Sequence, residues 1–153
     1  MSKFTVKNLN RFLLIKLPSA FLSGVRVSTI KENKATAIVK HRWINQNPFR
    51  SMYWATQGMA AELVTGILLM KKIDDSKRKI SLLVVEQKGE FFKKATGRIT
   101  FICDDGVLID KALQEAIKTG EGTLIHLPSK AYDQENDLVS SFVFTWSVKL
   151  KSQ

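Results

Sequence analysis

Twenty residues, Ser51–Met70, follow Arg50 with a single formal charge among them, that of Glu62. A carboxylate set in an apolar run loses hydration, which raises its pKa toward the range where a general base is efficient, while nearby donors pull the other way. The same group can attack a carbonyl carbon as a nucleophile. Its structural alternative is an acceptor for tyrosine or threonine hydroxyls inside a packed core. His41 and His126 have few acidic neighbours in sequence and read as surface or core histidines. Cys103 lies in an apolar run with no His beside it and reads as a small buried hydrophobe. No group of His, Cys and carboxylates has metal-ligand spacing. Gly89, Gly97 and the Gly-Glu-Gly ending at Gly122 match neither a phosphate-binding loop nor a dinucleotide signature, so no cofactor is expected.

The rest of the chain bounds what can position Glu62. With 153 residues, 44% of them hydrophobic and 25% charged, residues 1–153 read as a single folded domain. The net charge of +10 favours negative partners: nucleic acid, an anionic membrane surface or a phosphate-bearing small molecule. One cysteine excludes an intramolecular disulfide and fits a reducing, cytoplasmic compartment. Residues 1–24 form an amphipathic helical segment rather than a signal peptide, because Lys16 and Pro18 interrupt the apolar run early. Ser51–Met70 is long enough to cross a bilayer, but Gln57, Glu62, Thr56 and Thr65 make it a buried helix, so no membrane partner is expected. Nucleic acid is not expected either: the aromatics fall in buried patterns rather than on a basic stacking surface.

Around the helix the chain reads as strands. Val25–Ile30 and Ala35–Trp43 flank the polar turn KENK and form a hairpin. KKIDDSKRK is a charged connector, ISLLVVEQ a strand punctuated by Gly89, and ATGRITFICD another. Asp105 is placed to cap a helix from Gly106 to Lys118 that ends at TGEG. Thr123–Tyr132 and Leu138–Leu150 complete the pattern. The expected fold is α+β, with a long helix inserted early among about six mostly antiparallel strands.

That order of elements resembles the hotdog fold, a curved antiparallel sheet wrapped around a long central helix, and the resemblance extends to residues. In acyl-CoA thioesterases of this superfamily an Asn lies six residues before a His-Gly-Gly that opens the central helix, and an acid follows nine residues after the His. Here Asn47, Tyr53-Trp54-Ala55 and Glu62 stand at those spacings, and FFKKATGRITF is similar to the aromatic-basic-Ala-x-Gly strand. NPFRSMY, from Asn47 to Tyr53, is nearest to an uncharacterised thioesterase-like branch whose members carry Asn-Pro-Phe-x-Ser-Met-Tyr. The His is replaced by Tyr53, and Trp54 stands where the first Gly would, with bulk that could fill acyl space.

The resemblance implies a hydrolase for an acyl thioester of coenzyme A or of an acyl carrier, working as a homodimer or homotetramer with sites between subunits. Glu62 would be base or nucleophile, Asn47 would orient water or the thioester carbonyl, and Tyr53 and Trp54 would shape the oxyanion site at the helix N-terminus. Ser51 is the expected cap of that helix. Trp54 and Glu62 are eight residues apart, about 12 Å along a helix axis, so a partner subunit must complete the site. The basic residues themselves, Lys71, Lys72, Lys77, Arg78 and Lys79 in the connector with Lys93, Lys94 and Arg98 around the next strand, read first as a solvated surface; in the functional alternative Lys77, Arg78, Lys94 and Arg98 would meet the phosphates of coenzyme A. The alternative function is a non-catalytic acyl-binding or assembly module of the same fold.

Overall fold

The computed structural model describes residues 2–152. Two short helices open it, α1 (Val6–Lys16) and α2 (Pro18–Leu22), followed by the hairpin β1 (Arg26–Ile30) and β2 (Ala35–Lys40). A 3-10 turn over Trp43–Asn45 leads to the long helix α3 (Trp54–Ser76). The order then runs β3 (Ile80–Phe91), β4 (Arg98–Cys103), α4 (Gly106–Thr119), β5 (Thr123–Tyr132) and β6 (Leu138–Leu150). All strand pairs are antiparallel in one six-stranded sheet, ordered β1-β2-β4-β5-β6-β3. Helix α3 packs against β1, β2, β4, β5 and β6, so the sheet curves around it in the hotdog arrangement. Among the described residues no helix is long and apolar enough to cross a membrane.

The core is the inner face of the sheet against α3. Alternate residues of β4 (Ile99, Phe101, Cys103) and β5 (Ile125, Leu127, Ser129, Ala131) point inward and are buried, as a sheet with one covered face requires. Burial pushes the Cys103 thiol up to about 11, so at neutral pH it is a protonated packing residue. At α4, Gly106 is needed for close approach: a Cβ there would land on the Asn33 backbone of the β1–β2 turn. Gly120 ends that helix in the left-handed conformation, as TGEG predicts, but Asp105 makes no side-chain cap. The backbone N–H of Gly106 bonds instead to the Asn33 carbonyl at 3.3 Å.

Four boundaries differ from the expected ones. Helix α3 opens at Trp54 rather than Ser51, because Met52 and Tyr53 are held extended by bonds to the Ala95 and Asn45 carbonyls, both 2.8 Å. It continues through the charged connector to Ser76, because Lys72 is buried and bonded to Glu32, Asn33 and Asp110 at 2.8, 3.0 and 2.8 Å. Strand β3 runs through Gly89 to Phe91, because Gly89 is where the Phe142 ring lies on the strand; a Cβ would sit 2.9 Å from it. Strand β2 likewise stops at Lys40, where the chain turns into the Trp43–Asn45 segment.

Candidate active site

One stripe of helix α3 is less buried than the rest of the helix. Trp54 and Glu62 are exposed, and Gly58, Gly66 and Met70 are half-buried. These five positions are four residues apart and therefore form one stripe along the helix. A helix enclosed on every side was expected; the structure instead opens this stripe, and Glu62 sits at its middle.

Beside Glu62 lies a cavity of about 350 Å³, lined among others by Phe12, Leu17, Met59, Leu63, Gly66 and Trp146. Helices α1 and α2 provide the outer wall and α3 the floor. Trp146 is fixed from behind, its indole N–H donating 3.0 Å to the Thr65 hydroxyl, which itself donates 2.7 Å to the main-chain carbonyl of Glu62. The Glu62 carboxylate has no hydrogen-bond or ion-pair partner among the described residues. Surrounding protein strips part of its hydration, and this desolvation raises its pKa above the usual value. Lys16 lines the same cavity without pairing with it. The carboxylate is thus solvent-accessible but crowded by apolar walls. Sequence reasoning missed this wall: residues 1–24 read as an amphipathic helix, but nothing local shows that Phe12 and Leu17 close over α3.

The N-terminus of α3 forms a second hollow, of about 500 Å³, whose lining includes Asn47, Phe49, Tyr53, Trp54, Phe91 and Lys94. No side chain caps this helix. The Tyr53 carbonyl accepts from the N–H groups of Thr56 and Gln57, while those of Trp54 and Ala55 have no acceptor among the described residues. Two free donors at the positive end of a 23-residue helix can stabilise a developing oxyanion. Trp54 faces this hollow and is absent from the wall of the Glu62 cavity, so it does not fill that space.

Ser51 is buried and bonded to Asn47 rather than to the helix. The Asn47 amide works within its own loop: Oδ1 accepts from Phe49 N–H at 2.9 Å and from Ser51 N–H at 3.2 Å, while Nδ2 donates to Ser51 Oγ at 3.0 Å. Asn47 therefore shapes the entry to α3. The four expected phosphate contacts are divided. Lys94 and Arg98 lie near the N-terminus of α3, where Lys94 donates 3.1 Å to the Phe49 carbonyl. Lys77 closes its C-terminus in the left-handed conformation, with Arg78 after it. The helix is about 34 Å long, so one chain does not bring the four together.

The histidines stand apart from both hollows: His126 Nδ1 is 2.8 Å from the Thr145 hydroxyl. The fold does gather three carboxylates the sequence left unremarked, Asp133, Glu135 and Asp137, but Lys93 fills the space between them with contacts of 2.6, 3.2 and 2.8 Å.

Residues 6–148 match the family described as a domain of unknown function (DUF4442), and the chain belongs to that family. No curated protein matches it. Among solved structures, a protein of unknown function from Pseudomonas aeruginosa superposes with a TM-score of 0.82 at 22% identity, covering 95% of this chain and 96% of that one. A protein of unknown function from Chlorobaculum tepidum gives 0.81 at 16% identity, covering 95% and 94%. A thioesterase from Haemophilus influenzae gives 0.67 at 16% identity, covering 97% and 93%. These likenesses show the fold.

Proposed function

We propose that this DUF4442 chain is an acyl-thioester hydrolase acting on an acyl group carried by coenzyme A or an acyl carrier, with Glu62 as its base. The observation that carries this reading is the unpartnered Glu62 carboxylate at the mouth of an apolar cavity of about 350 Å³. The cavity takes the acyl chain, and its apolar lining offers that chain what water does not. Glu62 removes a proton from water as the water oxygen bonds to the thioester carbon. The resulting oxyanion is held by the Trp54 and Ala55 N–H groups of the partner subunit, because eight residues separate the two groups within one helix. The carbon–sulfur bond then breaks, and the thiolate takes the proton that Glu62 holds, giving a carboxylic acid and a free thiol. Direct attack by Glu62 would pass through a mixed anhydride instead. Lys94 and Arg98, at the end that bears the oxyanion donors, are the phosphate contacts of this reading; Lys77 and Arg78 lie at the other end of the helix.

The second reading, an acyl-binding module without turnover, is favoured by the state of Asn47. Its amide is engaged on both sides and is not free to orient water. Release of free thiol from a panel of acyl-CoA substrates separates the two. The hydrolase reading expects turnover that falls roughly 10²-fold or more in Glu62→Gln with acyl binding retained. Saturable acyl binding with no thiol released by the wild type would establish the binding module.

A further inference from the structure

The end of the molecule that bears the N-terminus of α3 exposes large apolar side chains that no other part of the chain covers. Trp43 is 82% exposed and Phe49 70%, with Ile44 and Phe92 more than half exposed. The expectation that the aromatics are buried fails at these positions. The backbone that carries Trp43, Ile44 and Phe49 is fixed by hydrogen bonds. The buried Asn45 amide donates to the Ser23 and Lys40 carbonyls at 2.9 and 3.0 Å and accepts from Arg42 N–H at 2.9 Å, which fixes the Trp43–Ile44 turn outward. Asn47 fixes Phe49 in the same way, and Arg50 beside it adopts a left-handed backbone, φ 62°, that non-glycine residues rarely take. Hydrogen bonds join the pieces into one surface: Tyr53 N–H to the Asn45 carbonyl, Met52 N–H to the Ala95 carbonyl, and Lys94 Nζ to the Phe49 carbonyl.

Cations alternate with the apolar tips, as Arg42-Trp43-Ile44, Phe49-Arg50 and Phe92-Lys93-Lys94. From Ala35 to Ala61, and again from Phe91 to Cys103, there is no acidic residue. Lys40, Arg42, Arg50, Lys94 and Arg98 form no ion pair among the described residues. Of the nearby carboxylates, Glu90 pairs with Lys88 at 3.6 Å, and Asp133, Glu135 and Asp137 converge on Lys93.

We propose that this end docks on an anionic lipid bilayer, with Trp43, Ile44, Phe49 and Phe92 entering the interface and Arg42 and Arg50 meeting the headgroups. An indole on a protruding turn suits the boundary between headgroups and acyl chains, and unpaired cations supply the complementary charge. Ile44 decides against single-stranded nucleic acid as occupant, because an aliphatic side chain gains from burial in hydrocarbon and nothing from base stacking. This docking needs no spanning helix and stands whether or not the chain hydrolyses thioesters. It revises the expectation of no membrane partner, which rested on the absence of a span.

The test is co-sedimentation of the full chain with large unilamellar vesicles of phosphatidylcholine, with or without about 30% phosphatidylserine. The expected result is binding to the anionic vesicles, roughly tenfold weaker on the neutral ones, and a loss of about tenfold in Trp43→Ser/Phe49→Ser at unchanged melting temperature. Arg42→Gln/Arg50→Gln should weaken anionic binding alone. Equal binding by the Trp43/Phe49 variant would leave only unspecific attraction to net positive charge and overturn the proposal, as would absence of binding. A change of oligomeric mass in that variant would assign the surface to a second copy. Loss of oligothymidine binding instead of vesicle binding would assign it to nucleic acid.

Discussion

Glu62 combines an open position with a shortage of donors, and the consequences for stability and for turnover have opposite signs. A carboxyl whose folded pKa is raised holds its proton more tightly in the folded chain than in the unfolded one. The associated stability is full below the ordinary value of 4.5 and is lost as pH rises through the folded value. Glu62→Gln removes the desolvated charge, so its melting temperature at neutral pH should equal or exceed that of the wild type, and any gain should vanish below the ordinary carboxylate value. A variant that melts lower at neutral pH would make Glu62 a structural acceptor. Turnover needs the deprotonated form, so the acid limb of kcat/KM should lie above the ordinary carboxylate range and be absent from the residual rate of Glu62→Gln. Asn47 shows the limit of reading single residues from sequence. Its spacing to Glu62 is visible there, whereas the engagement of its amide with Phe49 and Ser51 exists only once the loop has closed.

Among the elements, α3 was legible as a helix because its apolar residues recur along twenty positions, and its ends were not. Helix termini are decided by competitors for the backbone: Met52 and Tyr53 bond to other segments instead of opening the helix, and no local signal reports those partners. The C-terminal end was obscured by charge. Lys71 and Lys72 read as solvated, yet Lys72 is buried where α3, the β1–β2 turn and α4 meet. Burial opposes its charge, but hydrogen bonds to Asp110 and Glu32 outweigh this and raise its pKa. In return, bonds from Lys71 and Lys72 lower the Glu32 carboxyl to about 2. The stability from Glu32 is therefore present above its ordinary value of 4.5 and lost as pH falls through about 2. Glu32 is largely exposed, so solvent screening keeps that contribution small. Lys72→Met should lower unfolding free energy at neutral pH by roughly 1–3 kcal/mol and flatten part of the acid dependence, since Lys71 still holds Glu32. Urea unfolding as a function of pH measures both. An unchanged midpoint at neutral pH would make the buried ammonium replaceable by packing alone.

For the whole molecule, the two edges of the sheet are treated differently. At β1 the Asn10 side chain stands in for a neighbouring strand: its Nδ2 donates 3.0 Å to the Val27 carbonyl and its Oδ1 accepts from Val27 N–H at 2.9 Å. At the other edge β3 runs twelve residues beside β6 alone, with Leu83 and Val85 exposed. Apart from the irregularity between Val84 and Glu86, this is a long edge with apolar residues, a template for another strand. Like Glu62 and Trp54 on α3, it lies exposed. Pairing of two copies about a two-fold axis satisfies the edge and can set the oxyanion donors of one chain near the carboxylate of the other. Sedimentation should therefore give at least twice the mass of the chain. Leu83→Lys/Val85→Lys should shift the population toward monomer, because like charges would then face each other across the paired edges. These two side chains have little contact with the core, so each monomer should stay folded. Thiol release, where the wild type shows it, should fall in parallel with the dimer fraction. A wild type that stays monomeric at micromolar concentration, or a monomeric variant with full turnover, would remove the partner subunit from the chemistry.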